Sequence, residues 1–382
     1  MVTETRPDVR PFRIEVEQFE IDDLRERLHK TRWPDELPGA LWDYGIPLSY
    51  LQELAAYWAG GYDWRENEAR LNEFPQYTTT VDGQNVHFLH VQSRERNAIP
   101  LLLTHGWPGS VVEFMKIIDP LVDPLAHGGD AADAFHVVAP SIPGFGFSGP
   151  TTERGWDVKR IAAAFAQLMQ RLGYERYGAQ GGDWGSAISR QLGLSDSEHV
   201  IGLHLNTLAT PPSGDPGEMD LLTQKEKSYI DAANRFRQQG SGYFMIQGSR
   251  PQTLSYGLTD SPAGLLAWIA EKFHEWSEQP IDRDQMLTNI SVYWFTRTAN
   301  SSARLYFEFG RAGSSWGKVE TSTVPTGVAV FPGEIAPPIR RFAERSNNVV
   351  HWSEFDRGGH FAAMEQPDAL VSDMRSFFRL VR

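Results

Sequence analysis

Two carboxylates and one histidine, far apart in the chain, are the residues best placed to do chemistry together. Asp183 lies in Gly181-Gly182-Asp183-Trp184-Gly185, between an apolar stretch, Arg176-Tyr177-Gly178-Ala179-Gln180, and a helical one, Ser186 to Leu192. A strand that turns straight into a helix needs small residues on both sides of the turn, because side chains there would collide. The apex residue is then pushed into a strained, exposed position at the carboxyl end of a sheet, the arrangement known as a nucleophile elbow. Here the apex carries a carboxylate rather than a hydroxyl. Taken alone, Asp183 serves equally well as the N-cap of the following helix. Glu334, in Phe331-Pro332-Gly333-Glu334, and His360, in Arg357-Gly358-Gly359-His360-Phe361, follow two later strand patterns. By itself Glu334 reads as a helix-capping or solvated carboxylate, whereas two glycines ahead of His360 let it turn toward a sheet edge. The three together run in the order nucleophile, acid, histidine, each just past a strand. Such a set can attack an electrophilic carbon with Asp183. His360, oriented by Glu334, then deprotonates the water that hydrolyses the ester.

A strand pattern, Leu101-Leu102-Leu103-Thr104, ends in His105-Gly106-Trp107-Pro108-Gly109. The backbone N–H of Trp107, with that of Trp184 after the nucleophile, can form an oxyanion hole. Taken alone, the segment is also an ordinary proline-glycine turn.

The elements that must position these groups follow an α/β pattern from Pro100 onward. Strand patterns at Leu101–Thr104, Phe135–Pro140, Arg176–Gln180 and Val200–Asn206 alternate with helical ones, from about Val111 to Leu121 and from Val158 to Leu172. That alternation predicts a mostly parallel sheet covered on both faces. From about Pro211 to Ser322 the strands stop, and helical periodicity covers Lys225–Arg237, Leu265–Trp276, Asp284–Phe295 and Ala303–Phe309. This reads as a helical cap inserted into the sheet. The sheet resumes at Thr326–Phe331 and Val349–Trp352, and a last helix follows. Residues 1–97, rich in tryptophan, proline and charge, read as short helices wrapping a core they do not form. Tyr77 to Val91 within them reads as a hairpin turning at Asp82-Gly83. The expected division is thus a meander (1–97), a first core segment (98–210), a cap (211–322) and a second core segment (323–382).

Composition excludes several functions. A net charge of -13 over 382 residues is wrong for a nucleic-acid partner, which needs a clustered basic surface. No apolar run is long enough to span a membrane, and Met1 to Asp8 has no apolar core of a secretory signal, so a cytoplasmic enzyme is expected. With no cysteine there is no disulfide, thiolate site or thiol nucleophile. Among the 11 histidines, His87 and His90 lie along a strand and none forms a metal-binding pair, so neither metal nor cofactor is expected. Gly144-Phe145-Gly146-Phe147-Ser148-Gly149 has the spacing of a dinucleotide loop, but Pro150 follows and no helix opens there. Asn289-Ile290-Ser291 and Asn300-Ser301-Ser302 match glycosylation acceptors, which mean nothing without secretion.

The motifs His105-Gly106-Trp107-Pro108-Gly109-Ser110, Gly181-Gly182-Asp183-Trp184-Gly185-Ser186 and Gly358-Gly359-His360-Phe361-Ala362-Ala363, with Arg32-Trp33-Pro34 near the amino terminus, resemble one family. It is that of the α/β-hydrolase-fold epoxide hydrolases, in the microsomal and juvenile-hormone branch. The resemblance covers nearly the whole chain. It departs from the membrane-bound members in lacking their amino-terminal anchor, which implies a soluble, bacterial type. The resemblance also implies two cap tyrosines that polarise the epoxide oxygen. Gly242-Tyr243-Phe244-Met245-Ile246-Gln247 and Ser302-Ala303-Arg304-Leu305-Tyr306 match their motifs, which gives Tyr243 and Tyr306 that role, with Tyr293 as the rival. The implied reaction turns an apolar or aryl epoxide and water into a vicinal diol through an aspartyl ester. The partner is a small-molecule epoxide, such as those of enediyne antibiotic pathways or of detoxification, and the assembly a monomer or homodimer. A serine nucleophile would leave an ether that water cannot cleave, whereas an aspartyl ester has a carbonyl open to hydroxide. Cap aromatics Phe244, Trp268, Trp276 and Trp294 are candidates to line the pocket or pack the core. Two competing readings are a haloalkane dehalogenase, with Trp184 binding halide, and a non-catalytic hydrolase-fold binding protein.

Overall fold

A computed structural model describes residues 9–313 and 320–382. Among the described residues nine strands form one sheet: β1 (Arg10–Phe12), β2 (Gln76–Val81), β3 (Gln84–Val91), β4 (Ile99–Thr104), β5 (Phe135–Pro140), β6 (Tyr177–Gly181), β7 (Val200–Leu205), β8 (Ser322–Val330) and β9 (Asn347–Glu354). Their spatial order is β1-β2-β3-β5-β4-β6-β7-β8-β9. The first three and the β3–β5 pair are antiparallel, and every pairing from β5 through β9 is parallel. This is the α/β-hydrolase fold.

The strand order explains where a site can form. From β4 the chain goes outward to β5, then crosses back to place β6 on the other side of β4. A crevice opens at such a reversal, past the carboxyl ends of the strands. Thr104, the last residue of β4, pairs in register with Gly181, the last of β6. The turns after these two strands are therefore neighbours, although 76 residues separate Trp107 from Asp183.

The sheet reaches further back than the sequence suggests. The Asp82-Gly83 hairpin forms as read, with both residues at positive φ (49° and 73°). Its strands, however, are integral to the sheet, and Arg10–Phe12 adds an edge strand through pairs such as Pro11 with Tyr77. The segment before residue 98 thus supplies three of the nine strands instead of merely wrapping them. The helix expected over 111–121 is also different: a 3₁₀ turn at Val111–Phe114 and a short helix at Ile118–Val122. Pro120 has no N–H to give an earlier carbonyl, so it fits only the first turn of a helix that starts afresh at Ile118.

Between β7 and β8 the chain builds helices Gln224–Arg235, Gly242–Ser249, Pro251–Asp260, Pro262–Glu275, Arg283–Thr296 and Ala299–Arg311. Gly242–Ser249 and Pro251–Asp260 were not visible as periodic segments, since glycines at 242, 248 and 257 and a proline at 251 interrupt the pattern. Pro251 instead starts its helix, where a missing N–H costs nothing. The first of the six runs on into a single π turn, Phe236–Gly240, just before Tyr243.

Helix Arg283–Thr296 is buried from Gln285 through Trp294. A helix buried all round has no polar face, so each polar side chain needs its own partner. On one side Tyr57 and Trp58 of the amino-terminal helix Leu48–Gly60, and Tyr62 just before the next helix, Trp64–Leu71, reach Asp284, Ser291 and Thr288 at 2.7, 3.0 and 2.9 Å. On the other, Gln285, Asn289 and Tyr293, spaced four apart, donate to the carbonyls of Val112, Pro108 and Gly109 at 3.2, 2.8 and 2.7 Å. The amino-terminal helices thus press the cap onto the turn after β4. Among the described residues no helix is long and apolar enough to cross a membrane.

Candidate active site

The strand-to-helix turn forms around Asp183, which adopts φ 50°, an unfavourable conformation for a residue with a Cβ. A Cβ on Gly181 would overlap the carbonyl of Gly185, and one on Gly185 would overlap the carbonyl of Thr104. The glycines therefore let β6, the helix Asp183–Ser195 and the end of β4 pack closely enough to fix the strained apex. Asp183 opens its helix one position past the N-cap, which is Gly182.

The two carboxylate oxygens of Asp183 face different partners. Oδ1 accepts the Trp107 amide at 2.8 Å, and Oδ2 lies 3.4 Å from His360 Nε2. The Trp107-Pro108 bond is cis. His105 anchors the same turn: its Nδ1 lies 2.9 Å from the Gly106 carbonyl, and its Nε2 accepts the Ile142 amide at 3.2 Å. Burial pushes its pKa down to about 4, so it is neutral and keeps those roles. Trp184 follows on the first helical turn, where amides have no carbonyl partner within the helix.

His360 Nδ1 lies 2.8 Å from Glu334 Oε1, and both side chains are almost wholly buried. Glu334 is fixed in turn by the Ile335 amide on Oε1 (2.8 Å) and by the Thr207 hydroxyl on Oε2 (2.7 Å). Burial alone would favour neutral imidazole, but the carboxylates of Glu334 and Asp183 outweigh it and raise the His360 pKa well above its ordinary value. At neutral pH the histidine is an imidazolium between two carboxylates.

The roof consists of aromatic rings from the cap. Tyr243 stacks on Trp107 with centroids 5.0 Å apart, and Tyr306 stands edge-on to Trp184 at 4.8 Å and to Tyr243 at 5.9 Å. Burial, reinforced by Asp183, raises both phenol pKa values well above the ordinary one, so they stay protonated and can donate. The Tyr306 hydroxyl is buried, with Tyr243 and the Trp184 side chain as its polar neighbours. Tyr293 differs, because its hydroxyl is committed to the Gly109 carbonyl. Of the other cap aromatics, Phe244 packs on Trp184 and Tyr306, and Trp276 stands against Tyr243 and His360. Trp268 is tied to Gln247 at 3.2 Å. Trp294 lines an open surface cleft of about 540 Å³ between the cap and the amino-terminal helices. That cleft contains none of the five side chains, and its Arg27 and Arg297 are paired with Asp260 and Glu20.

The structure therefore brings Asp183, Glu334, His360, Tyr243 and Tyr306 together and leaves Tyr293 aside. Sequence reasoning missed Thr207 and Glu113. Thr207 sits two residues past β7, a strand-end position that was an available signal. Asn289, which matched a glycosylation acceptor, is wholly buried. Among the described residues no group of three or more histidines and carboxylates is placed to hold a metal ion.

Comparison with known proteins agrees with this arrangement. Residues 9–114 match the family described as epoxide hydrolase N terminus, and residues 99–239 match that of the alpha/beta hydrolase fold. Epoxide hydrolase 1 of Sus scrofa is 36% identical over 98% of this chain and 89% of its own. The chain belongs to the epoxide hydrolase family. A Stigmatella aurantiaca protein with a provisional epoxide hydrolase name is 48% identical over 98% of this chain and 86% of its own. The solved structure of Aspergillus niger epoxide hydrolase superposes with a TM-score of 0.89 at 32% identity, covering 100% of this chain and 98% of that one. This epoxide hydrolase is accordingly an enzyme acting on a small-molecule epoxide, and neither alternative reading is favoured.

Proposed function

We propose that this enzyme opens its epoxide in two steps, through an ester on Asp183. The observation that carries the reading is the division of the Asp183 carboxylate, with Oδ1 held by the Trp107 amide and Oδ2 facing His360. In the first step Oδ2 attacks a ring carbon from behind. The carbon–oxygen bond of the ring breaks, and the departing oxygen takes its proton from one of the cap phenols, Tyr243 or Tyr306, while the other donates it a hydrogen bond. Esterification removes the Asp183 charge, one of the two that keep His360 protonated. The imidazole thus gives up its proton and becomes a base only after alkylation. The proton it loses restores the phenol that protonated the departing oxygen, so it balances the one the first product hydroxyl gains.

In the second step His360, oriented by Glu334, takes a proton from water, and the hydroxide adds to the Asp183 carbonyl carbon. The oxyanion develops on Oδ1, where Trp107 already donates and Trp184 is the second donor. Collapse breaks the ester bond, the diol leaves with its second hydroxyl protonated, and Asp183 regains its carboxylate. Two proton-donating phenols suit an alkoxide leaving group, while a halide needs no proton. The rings of Phe244, Trp276 and Trp184 suit an apolar or aryl epoxide. The reading includes a cytoplasmic enzyme in which the cap (211–322) and meander (1–97) close the hydrolase core.

The test uses single turnovers with styrene oxide. His360→Gln should accumulate protein plus one substrate mass, and Asp183→Asn should form no adduct. In heavy-oxygen water the first diol should carry unlabelled oxygen, with the label appearing in the Asp183 peptide. Label in the first diol and none in that peptide refutes the ester.

A further inference from the structure

Glu113 has no part in that mechanism, yet its carboxyl lies in the site. It belongs to the 3₁₀ turn Val111–Phe114, started by Ser110, whose hydroxyl caps the Val112 amide at 3.2 Å and bonds Asn289 at 2.7 Å. The tight turn directs Glu113 back over the segment that precedes it. A Cβ on Gly109 would overlap Glu113 Oε1, just as a Cβ on Gly106 would overlap the Asp183 carboxylate. The two ends of one short turn, Gly106-Trp107-Pro108-Gly109, thus each lack a side chain where a carboxyl presses in. The first belongs to the nucleophile.

Charge and burial set Glu113 beside the reacting groups. Its charge interacts with those of both His360 and Asp183, and with the phenol of Tyr293. Its side chain is only partly exposed. The Asp183 side chain is likewise partly exposed, at 19%. A bare carboxylate here would sit beside another one, but burial pushes the Glu113 pKa up to about 8, with Asp183 adding to the rise and His360 and the Gly106 amide opposing it. At neutral pH it is a neutral acid that can both donate and accept.

We propose that Glu113 is the residue that positions the water which cleaves the Asp183 ester. The proposal rests on the two-step mechanism above. That water gives one proton to His360 and approaches the Asp183 carbonyl carbon. Its other O–H needs an acceptor and its orientation a second fixed point, and Glu113 offers both from the far end of the turn. No proton need leave Glu113 at any stage, so the balance of the two steps is unchanged.

The experiment measures alkylation and ester breakdown separately, by rapid quench and intact-mass detection with styrene oxide. Glu113→Met keeps the length and removes the hydrogen bonding, while Glu113→Gln keeps both. Ester breakdown should fall about tenfold or more in the Met variant, the cost of one lost hydrogen bond, with alkylation within about threefold, and the Gln variant should restore most of it. Unchanged breakdown in the Met variant, or both steps slowed in proportion, overturns the proposal and leaves Glu113 a filler beneath the turn. Should the Met variant not fold, the pH dependence of breakdown decides. The wild-type rate should fall above about pH 8 as Glu113 ionises beside the developing oxyanion, whereas the Gln variant should hold its rate. Coincident profiles overturn it. His360→Gln, run in parallel, tests the ester itself, so a failure of the mechanism is distinguishable from a failure of this assignment.

Discussion

The Glu113→Gln substitution should make the protein's stability less sensitive to pH, by an amount that follows from the buried carboxyl. In the unfolded chain Glu113 ionises near 4.5, and in the folded one burial raises its pKa to about 8. Between those values the folded state holds a proton that the unfolded state has lost. The group therefore costs stability as pH rises, at about 1.36 kcal/mol per unit, and the cost stops growing above the folded pKa. From pH 6 to pH 8, a window clear of the isoelectric point at 5.3, the integrated loss is about 2 kcal/mol. At about 2.1 cal/mol/K per residue, 382 residues give an unfolding entropy of about 0.8 kcal/mol/K, which converts the loss to about 3 °C. Gln cannot ionise, so the midpoint difference, variant minus wild type, should grow by about 3 °C between pH 6 and pH 8. Comparing the difference at two pH values cancels any fixed effect of the amide and all titrations common to both proteins. Differential scanning calorimetry or thermal circular dichroism reads it. A difference that stays constant, or that shrinks toward pH 8, refutes a raised Glu113 pKa.

Four other substitutions separate the roles in the site. Tyr243→Phe and Tyr306→Phe should each slow alkylation by roughly ten- to a thousandfold in stopped-flow single turnovers, and the double variant far more. Tyr293→Phe should leave alkylation within about threefold and instead lower stability by about 1–3 kcal/mol, because the buried Gly109 carbonyl loses its donor; a large loss of alkylation would reverse the assignment. Thr207→Val should slow ester breakdown by roughly ten- to a hundredfold without affecting alkylation, since a hydrogen bond to a charged group is worth about 1.5–3 kcal/mol and this one holds Glu334. Equal slowing of both steps would show that Thr207 supports the fold alone.

What could be read from the sequence was what local pattern encodes. Asp183 stands out because its turn needs glycine on either side, and His360 because two glycines precede it. Strands β4 to β9 are short apolar runs between turn signals, and periodicity finds those. Other features depend on contacts between distant segments. Glu113 is one of 49 acidic residues, and nothing marks it until the turn at Gly109 is seen to lack the side chain whose space it fills. Helix Arg283–Thr296 shows why Tyr293 was a credible rival: a helix buried all round carries no amphipathic signal, so sequence cannot tell which residues point at the substrate. The edge strand Arg10–Phe12 is three residues long and is defined only by its pairing with β2.

The hydrogen bonds around the histidine loop bear on substrate traffic. The His360 amide donates to the carbonyl of Trp276 at 2.9 Å, the Gly358 amide to the Glu278 carboxylate, and the Glu278 amide to Glu365 at 2.8 Å. Trp276 and Glu278 belong to the cap, so the loop that carries the base is hung from the roof above it. A cap that swung away to admit substrate would carry off or abandon its own base with each turnover. Entry and exit that leave those bonds intact keep the base in place through the whole cycle. In such a design the doorway and the catalytic frame can vary independently, and changes to the cap's outer helices can retune which epoxides enter without disturbing the base.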